Sequence, residues 1–160
     1  MDKCNITGFG THLKVKDVVN SHKFYESLGF KAVFVYGDEE FRQSFGGNVA
    51  SAPEKYRGIT YQIGENTRFE IGEDHIAIKD KNIFSKDIHT AKISAMITVD
   101  SLLPLLSNEL VEINFPIRKY YWGTLEVVIR DPDGFVLVFI GSQSEYDEIK
   151  KIREIEVIEP

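Results

Sequence analysis

Short apolar runs alternate along the chain with polar, glycine-punctuated ones, and the apolar period switches between two and roughly three and a half. Thr11-His12-Leu13-Lys14-Val15 alternates strictly and predicts a strand. Asp17 then stands where a helix N-cap is wanted, ahead of Val18, Ser21, Phe24, Tyr25 and Leu28 at helical spacing. Gly29 is placed to end that helix in the left-handed region, with Phe30 packing back on Tyr25 as in a Schellman motif. Residues 31–36, β-branched and aromatic, form a second strand.

Residues 37–53 are less regular. The 38–42 stretch reads either as a helical turn or as a polar strand end. Gly46-Gly47-Asn48 and Ser51-Ala52-Pro53 read as a flexible loop or lid. Strands follow at 58–63 and 67–71 around a turn at Gly64-Glu65-Asn66, and the polar stretch 74–91 reads as a linker, with a short strand at 75–78 as an option. After it come a strand at 93–99 and a short helix capped by Asp100 or Ser101. That helix carries Leu102, Leu105, Leu106 and Leu110, with Pro104 in its first turn, where the missing N–H costs little. Strands at 115–119, 124–130 and 135–140 complete the run, the last two joined through Asp131-Pro132-Asp133-Gly134.

The order strand–helix–strand–strand–strand thus occurs twice, which predicts an α+β fold in one domain, 1–160. The first unit spans 9–73, the linker 74–91 and the second unit 92–141. Superposing the halves puts Gly10 opposite Ser94 and Glu70 opposite Val138. A C-terminal helix is expected over 142–157. Ser142-Gln143-Ser144-Glu145 fits a capping box, Tyr146, Ile149, Ile152 and Ile155 form an apolar stripe, and Asp147–Lys151 and Lys150–Glu154 are helical ion pairs. The stripe must bury on its own subunit, the first expectation, or in a homodimer.

Composition narrows the function classes. The 160 residues are 42% hydrophobic, enough for a sizeable core, and no apolar run reaches the roughly 18–20 residues of a membrane span. A net charge of −6 with scattered Lys and Arg argues against nucleic acid as a partner. One cysteine, Cys4, and an N-terminus without secretory character point to the cytoplasm.

Three features together carry a resemblance. Asp17, Ser21, Phe24-Tyr25 and Leu28-Gly29-Phe30 lie in VKDVVNSHKFYESLGF, residues 15–30. Trp122-Gly123 and Asp131-Pro132-Asp133-Gly134 lie in WGTLEVVIRDPDGFVLVFI, residues 122–140. With the doubled architecture, these resemble the vicinal oxygen chelate superfamily, which includes glyoxalase I, extradiol dioxygenases, and fosfomycin- and bleomycin-resistance proteins. The likeness runs from about Phe9 to Gly141. It implies paired βαβββ units whose curled mixed sheet forms a cup around a small-molecule site. For many members it also implies a divalent metal held by His, Gln or Glu from the first and last strands of the units.

This chain departs from that pattern. The ligand positions fall on Gly10, Ser94, Glu70 and Val138, of which Glu70 alone keeps a ligand-type side chain. His12, two residues beyond Gly10, points to the same strand face and is placed to approach Glu70. Two protein ligands fall short of the three or four of a zinc site or the iron triad, so no metal and no cofactor are expected. His12 serves either as a cup-facing hydrogen-bonding group or base, or as half of a structural pair. Glu70 either orients a ligand or pairs with Arg68 on its own strand face.

Among the remaining candidates, Ser94 and Met96 share a face opposite Val138, and Tyr120 or Trp122 is placed to stack on a planar ligand. His22 is expected to face solvent from its helix, and His75 and His89 lie in the linker with no third ligand at useful spacing. The first expectation for function is a metal-free protein that binds an apolar or aromatic molecule in the cup, the negative charge mildly favouring a cation. The second is a glyoxalase-like lyase or isomerase using His12 and Glu70, with or without a divalent metal. A third is an interaction module whose cup has collapsed.

Overall fold

In the computed structural model, which describes residues 8–74, 78–152 and 156–159, the chain divides into two compact units between Lys86 and Asp87. That boundary falls inside the 74–91 segment. The segment carries a 3₁₀ turn, Lys81–Ser85, started by the Asp80 carboxylate accepting from the Asn82 N–H at 3.1 Å. Cys4, His75, Glu154 and Ile155 lie outside the described residues, as does most of the optional strand at 75–78.

The first unit runs β1 (Phe9–Lys14), α1 (Val18–Ser27), β2 (Lys31–Gly37), α2 (Glu39–Gln43), β3 (Ala50–Pro53), β4 (Gly58–Ile63) and β5 (Thr67–Gly72). Its sheet has the order β1-β5-β4-β2-β3. The Asp17 carboxylate caps α1 by accepting from Val19 and Asn20 N–H at 2.9 and 3.1 Å. At the other end Phe30 N–H reaches Tyr25 O at 3.0 Å and Gly29 N–H reaches Glu26 O at 2.9 Å, with Gly29 at φ +89°. That is the Schellman pair, and Phe30 and Tyr25 rings sit 5.1 Å apart. The buried face of α1 packs Tyr25 on Phe69 at 4.8 Å, over Ile59, Tyr61 and Ile71. Each such side chain contributes about 1.5–3 kcal/mol by leaving water.

The helical alternative for 38–42 holds, and two other readings of this half change. Residues 38–42 are helical, because the Asp38 side chain accepts from Phe41 N–H at 2.9 Å and Phe41 is buried. The stretch read as a loop or lid contains β3, which pairs parallel with β2 through Phe34↔Ala50 to Gly37↔Pro53. His22 does not simply face solvent. Its Nδ1 contacts the Tyr61 hydroxyl at 2.9 Å and its ring lies 5.2 Å from Phe45. Partial burial lowers its pKa below the ordinary 6.5, against a smaller opposing pull from Glu26.

The second unit runs β6 (Ser94–Thr98), α3 (Leu103–Leu106), β7 (Ile117–Lys119), β8 (Thr124–Arg130), β9 (Val136–Ser142), α4 (Tyr146–Ile152) and β10 (Val157–Ile158), in the sheet order β10-β7-β8-β9-β6. Leu102, Leu105 and Leu106 are buried as expected, but α3 stops short of Leu110. Asn108 ends it in a local turn, its side chain accepting from Leu110 N–H at 3.0 Å. The Asp131 carboxylate accepts from Asp133 and Phe135 N–H at 3.0 and 2.7 Å, which builds the β8–β9 turn.

The expected helix over 142–157 is corrected. A 3₁₀ turn, Gln143–Glu145, precedes the seven-residue α4, and the chain then returns to the sheet as β10, parallel to β7. The edge bond Ile117 N–H to Glu156 O at 2.9 Å and the Lys119–Glu159 ion pair at 2.7 Å hold it there. Ile149 is fully buried within the chain, with α4 on α3. Glu145 does not close the capping box; its carboxylate accepts from Leu102 N–H at 2.8 Å and so caps α3 from a distant part of the sequence. Among the described residues no helix is long and apolar enough to cross a membrane.

Two outcomes follow. Replacing Glu145 by Ala removes the α3 cap and lowers unfolding free energy by about 0.5–2 kcal/mol in urea titration. His22 in the unfolded chain titrates near 6.5 and in the folded chain lower. Its contribution is therefore fully present above pH 6.5, is lost as pH falls from there through the folded value, and levels off below it. In His22→Gln the urea midpoint shows a shallower decline across that window.

Candidate functional site

The chemistry-bearing side chains of the first unit converge because β1 lies parallel to β5 with His12 directly opposite Glu70. Strand alternation puts Leu13, Phe69 and Ile71 on the α1 side and leaves Lys14, His12 and Glu70 on the other. The next strand adds Thr60, opposite Glu70 in the β4–β5 register. His12 Nε2 lies 3.2 Å from Glu70 Oε1, with both side chains about one third exposed. Tyr36 donates its hydroxyl to the same Oε1 at 2.8 Å, and Thr60 donates to Oε2 at 3.3 Å. Glu70 therefore sits among His12, Tyr36 and Thr60, while Arg68, its expected ion-pair partner, is exposed at the Gly10 register.

Two glycines make this possible. Tyr36 pairs with Gly58, and its ring lies over that residue: a Cβ on Gly58 would stand 1.9 Å from Tyr36 Cζ. The hydroxyl passes above Gly72, where a Cβ would be 2.9 Å away. Burial and the bond to Glu70 raise the Tyr36 pKa far above the ordinary phenol value, so the hydroxyl remains a donor.

Lys14 completes the cluster, its Nζ in contact with His12 Nε2. Burial lowers its pKa, and the carboxylates of Glu70 and Asp74 partly restore it. A ring nitrogen carries either a proton or a lone pair. When bare, Nε2 accepts from the Lys14 ammonium; when protonated, it donates to Glu70. One imidazole nitrogen thus links an amine to a carboxylate, and a proton can be held on either side of it. Lys14, Tyr36 and Thr60 escape a reading that looks only for His and acids. The available signals are Lys14 at period two from His12, and glycines at strand positions, which mark close approach.

The other candidates lie in the second unit. Ser94 pairs with Val136 and Met96 with Val138, and Met96 is 71% exposed. Tyr120 and Trp122 stack at 4.2 Å and 14° in the turn between β7 and β8. Trp122 is 56% exposed on top of Tyr120 rather than packed beneath the hairpin. The equivalent registers, His12↔Glu70 and Met96↔Val138, place a polar pair in one repeat and an apolar pair in the other.

This doubled arrangement, with first strand beside last in each half, agrees with a family model for the glyoxalase/bleomycin resistance protein/dioxygenase superfamily that matches residues 11–139. The chain belongs to that superfamily. Glyoxalase I from Zea mays superposes with a TM-score of 0.57 at 20% identity, covering 82% of this chain and 43% of the maize one. The trypanothione-dependent glyoxalase I of Leishmania major gives 0.52 at 18%, covering 89% and 91%. A superfamily protein from Nocardioides gives 0.53 at 11%, covering 89% and 85%. At these identities the likeness is one of fold. No curated protein sequence matches the chain.

The superfamily's divalent metal does not suit the residues found here. Gly10 offers no side chain, and a Cβ there would meet Arg68 O at 3.0 Å. Ser94 supplies only a hydroxyl and Val138 no oxygen or nitrogen, and the Lys14 ammonium lies against the His12 nitrogen. Among the described residues no three of His, Cys, Asp and Glu cluster as a metal would need.

The Tyr36 cradle has a measurable consequence. Gly58→Ala forces the ring off Glu70 and costs about 1–3 kcal/mol in urea unfolding, as overpacking does. In a Tyr36→Ala background the same substitution costs little, a coupling that a double-mutant cycle reads directly.

Proposed function

We propose that the chain binds a small molecule with an apolar or aromatic body, without a metal ion, and anchors its polar end at the Lys14–His12–Glu70 cluster. The observation that carries this reading is the His12 nitrogen held between Lys14 and Glu70, because the chain's own ammonium stands where a bound cation would be needed. Tyr36 and Thr60 orient Glu70, so its carboxylate is presented in one geometry to a ligand amine or hydroxyl. Tyr56, edge-on to Tyr36 at 5.5 Å, adds aromatic surface beside it. For the second unit taken by itself, Ser94, Met96, Tyr120, Trp122 and Val138 are proposed separately as ligand-contacting residues. The lone Cys4 supports a cytoplasmic setting.

The same nitrogen favours a second reading, a glyoxalase-like lyase or isomerase. Glu70 would take a proton from the carbon next to a carbonyl, and His12 with Lys14 would return one to the neighbouring oxygen. The fold it shares with the maize and Leishmania enzymes supports that chemistry by analogy alone.

Untagged protein purified without chelator is expected to contain well under one equivalent of divalent metal by elemental analysis. A full equivalent that disappears in Glu70→Ala would overturn the metal-free reading. In a thermal-shift panel of cationic and neutral aromatic compounds, at least one ligand should stabilise the protein and bind about tenfold more weakly to Glu70→Gln. A panel with no stabilising ligand defeats the binding reading. Isomerisation of a glutathione hemithioacetal, lost in His12→Ala, replaces it with the enzyme.

A further inference from the structure

The first unit holds a cavity on the face of its sheet opposite the Lys14–His12–Glu70 cluster. Strand β4 sends Thr60 towards Glu70 and its neighbour Tyr61 the other way, where Tyr61 meets His22 of α1. Beside His22 opens a cavity of about 710 Å³, a size that accommodates a metabolite. A smaller one of about 240 Å³ adjoins the same residues, and His22, Ser44 and Phe45 line both. Phe45 stands between His22 at 5.2 Å and Phe41 at 5.4 Å, a wall shared by the two.

What builds this cavity is extra to the repeat. In the second unit β7 passes to β8 through the four-residue turn 120–123, whereas in the first unit α2 and β3 intervene between the matching strands. That added segment supplies Ser44, Phe45, Gly46 and Val49; the rest comes from α1, its cap and β2. The lining is chemically mixed. Phe45, Val49 and Ala32 give an apolar wall, and Glu26 and Lys31 bring opposite charges from either side of the α1 C-cap. A helix C-terminus favours a cation, as Glu26 does, while Lys31 favours an anion. Opposite charges beside one apolar wall match a zwitterion with an apolar tail.

We propose that this cavity binds a free α-amino acid with an aromatic or branched side chain. The ammonium lies towards Glu26 and the carbonyl end of α1, the carboxylate towards Lys31, and the side chain against Phe45 and Val49. His22, with Nδ1 engaged by Tyr61, presents its other ring nitrogen for the carboxylate. The site uses none of Lys14, His12 or Glu70 and is independent of the function proposed for them.

The test is a ¹⁵N-HSQC titration of the full chain with L-phenylalanine, L-tryptophan, L-leucine and L-methionine, with calorimetry on any that bind. Saturable shifts are expected in residues 29–32 and 44–49. 2-Phenylethylamine and 3-phenylpropionate, each lacking one charge of phenylalanine, should bind at least tenfold more weakly. Glu26→Gln and Lys31→Gln should each weaken binding by about tenfold with otherwise unchanged spectra, and Glu70→Gln should leave it unaltered. The proposal is overturned if none of the four amino acids gives saturable shifts, if either single-charge analogue binds as well as phenylalanine, or if the shifts map to Glu70 and its neighbours.

Discussion

The first unit depends on β1 lying parallel and adjacent to β5. No short turn can join parallel neighbours, so the chain must cross over through α1 and lay down β2 and β4 before β5 closes against β1. The ordering entropy of that long closure is offset by the apolar layer beneath it, Val15, Val18, Tyr25, Phe69 and Ile71, every one of them buried. Once the pairing is made its register leaves no freedom. With Leu13 and Ile71 turned to the helix, His12 and Glu70 must face each other on the far side. The second unit repeats the closure with β6 and β9, and there the equivalent pair is Met96 and Val138.

The same backbone plan therefore yields different chemistry from different side chains. In the first unit the absence of side chains at Gly58 and Gly72 lets one tyrosine cross two strands to reach Glu70. A polar cluster so constructed is self-contained: Lys14 brings the positive charge, Glu70 the negative, and Tyr36 and Thr60 the fixed donors. The opposite face of the sheet is covered twice, by α1 and by the segment inserted between β2 and β4, and a cavity lies between those two coverings.

Much of this could be read along the chain because the signals are local. The Schellman ending at Gly29-Phe30, the Asp17 cap, the Asp131–Gly134 turn and the strand alternation are each decided within a few residues, and each is found in the structure. His12 and Glu70 were legible as a pair through period-two alternation together with the superfamily resemblance, which implies that the first and last strands of a unit converge. Failures occur where a local motif competes with a distant partner. Ser142–Glu145 satisfies a capping-box pattern, yet the Glu145 carboxylate is drawn to Leu102 N–H, and the chain beyond α4 leaves the helix to complete a sheet edge. His22 reads as an exposed helix position, yet Tyr61 and Phe45, distant in sequence, half-bury it.

The sequence by itself determined the class of fold and the doubled unit, since these rest on periodicity and turn residues. Only the tertiary structure decided that Lys14 closes on His12, that Tyr36 lies across two glycines, and that residues 38–53 fold as a helix and an edge strand whose connecting residues help line a cavity. The physical reason is range. Local patterns encode dihedral preferences and which side is apolar, whereas a site is made of polar groups that find one another only after the strands carrying them have been brought into register.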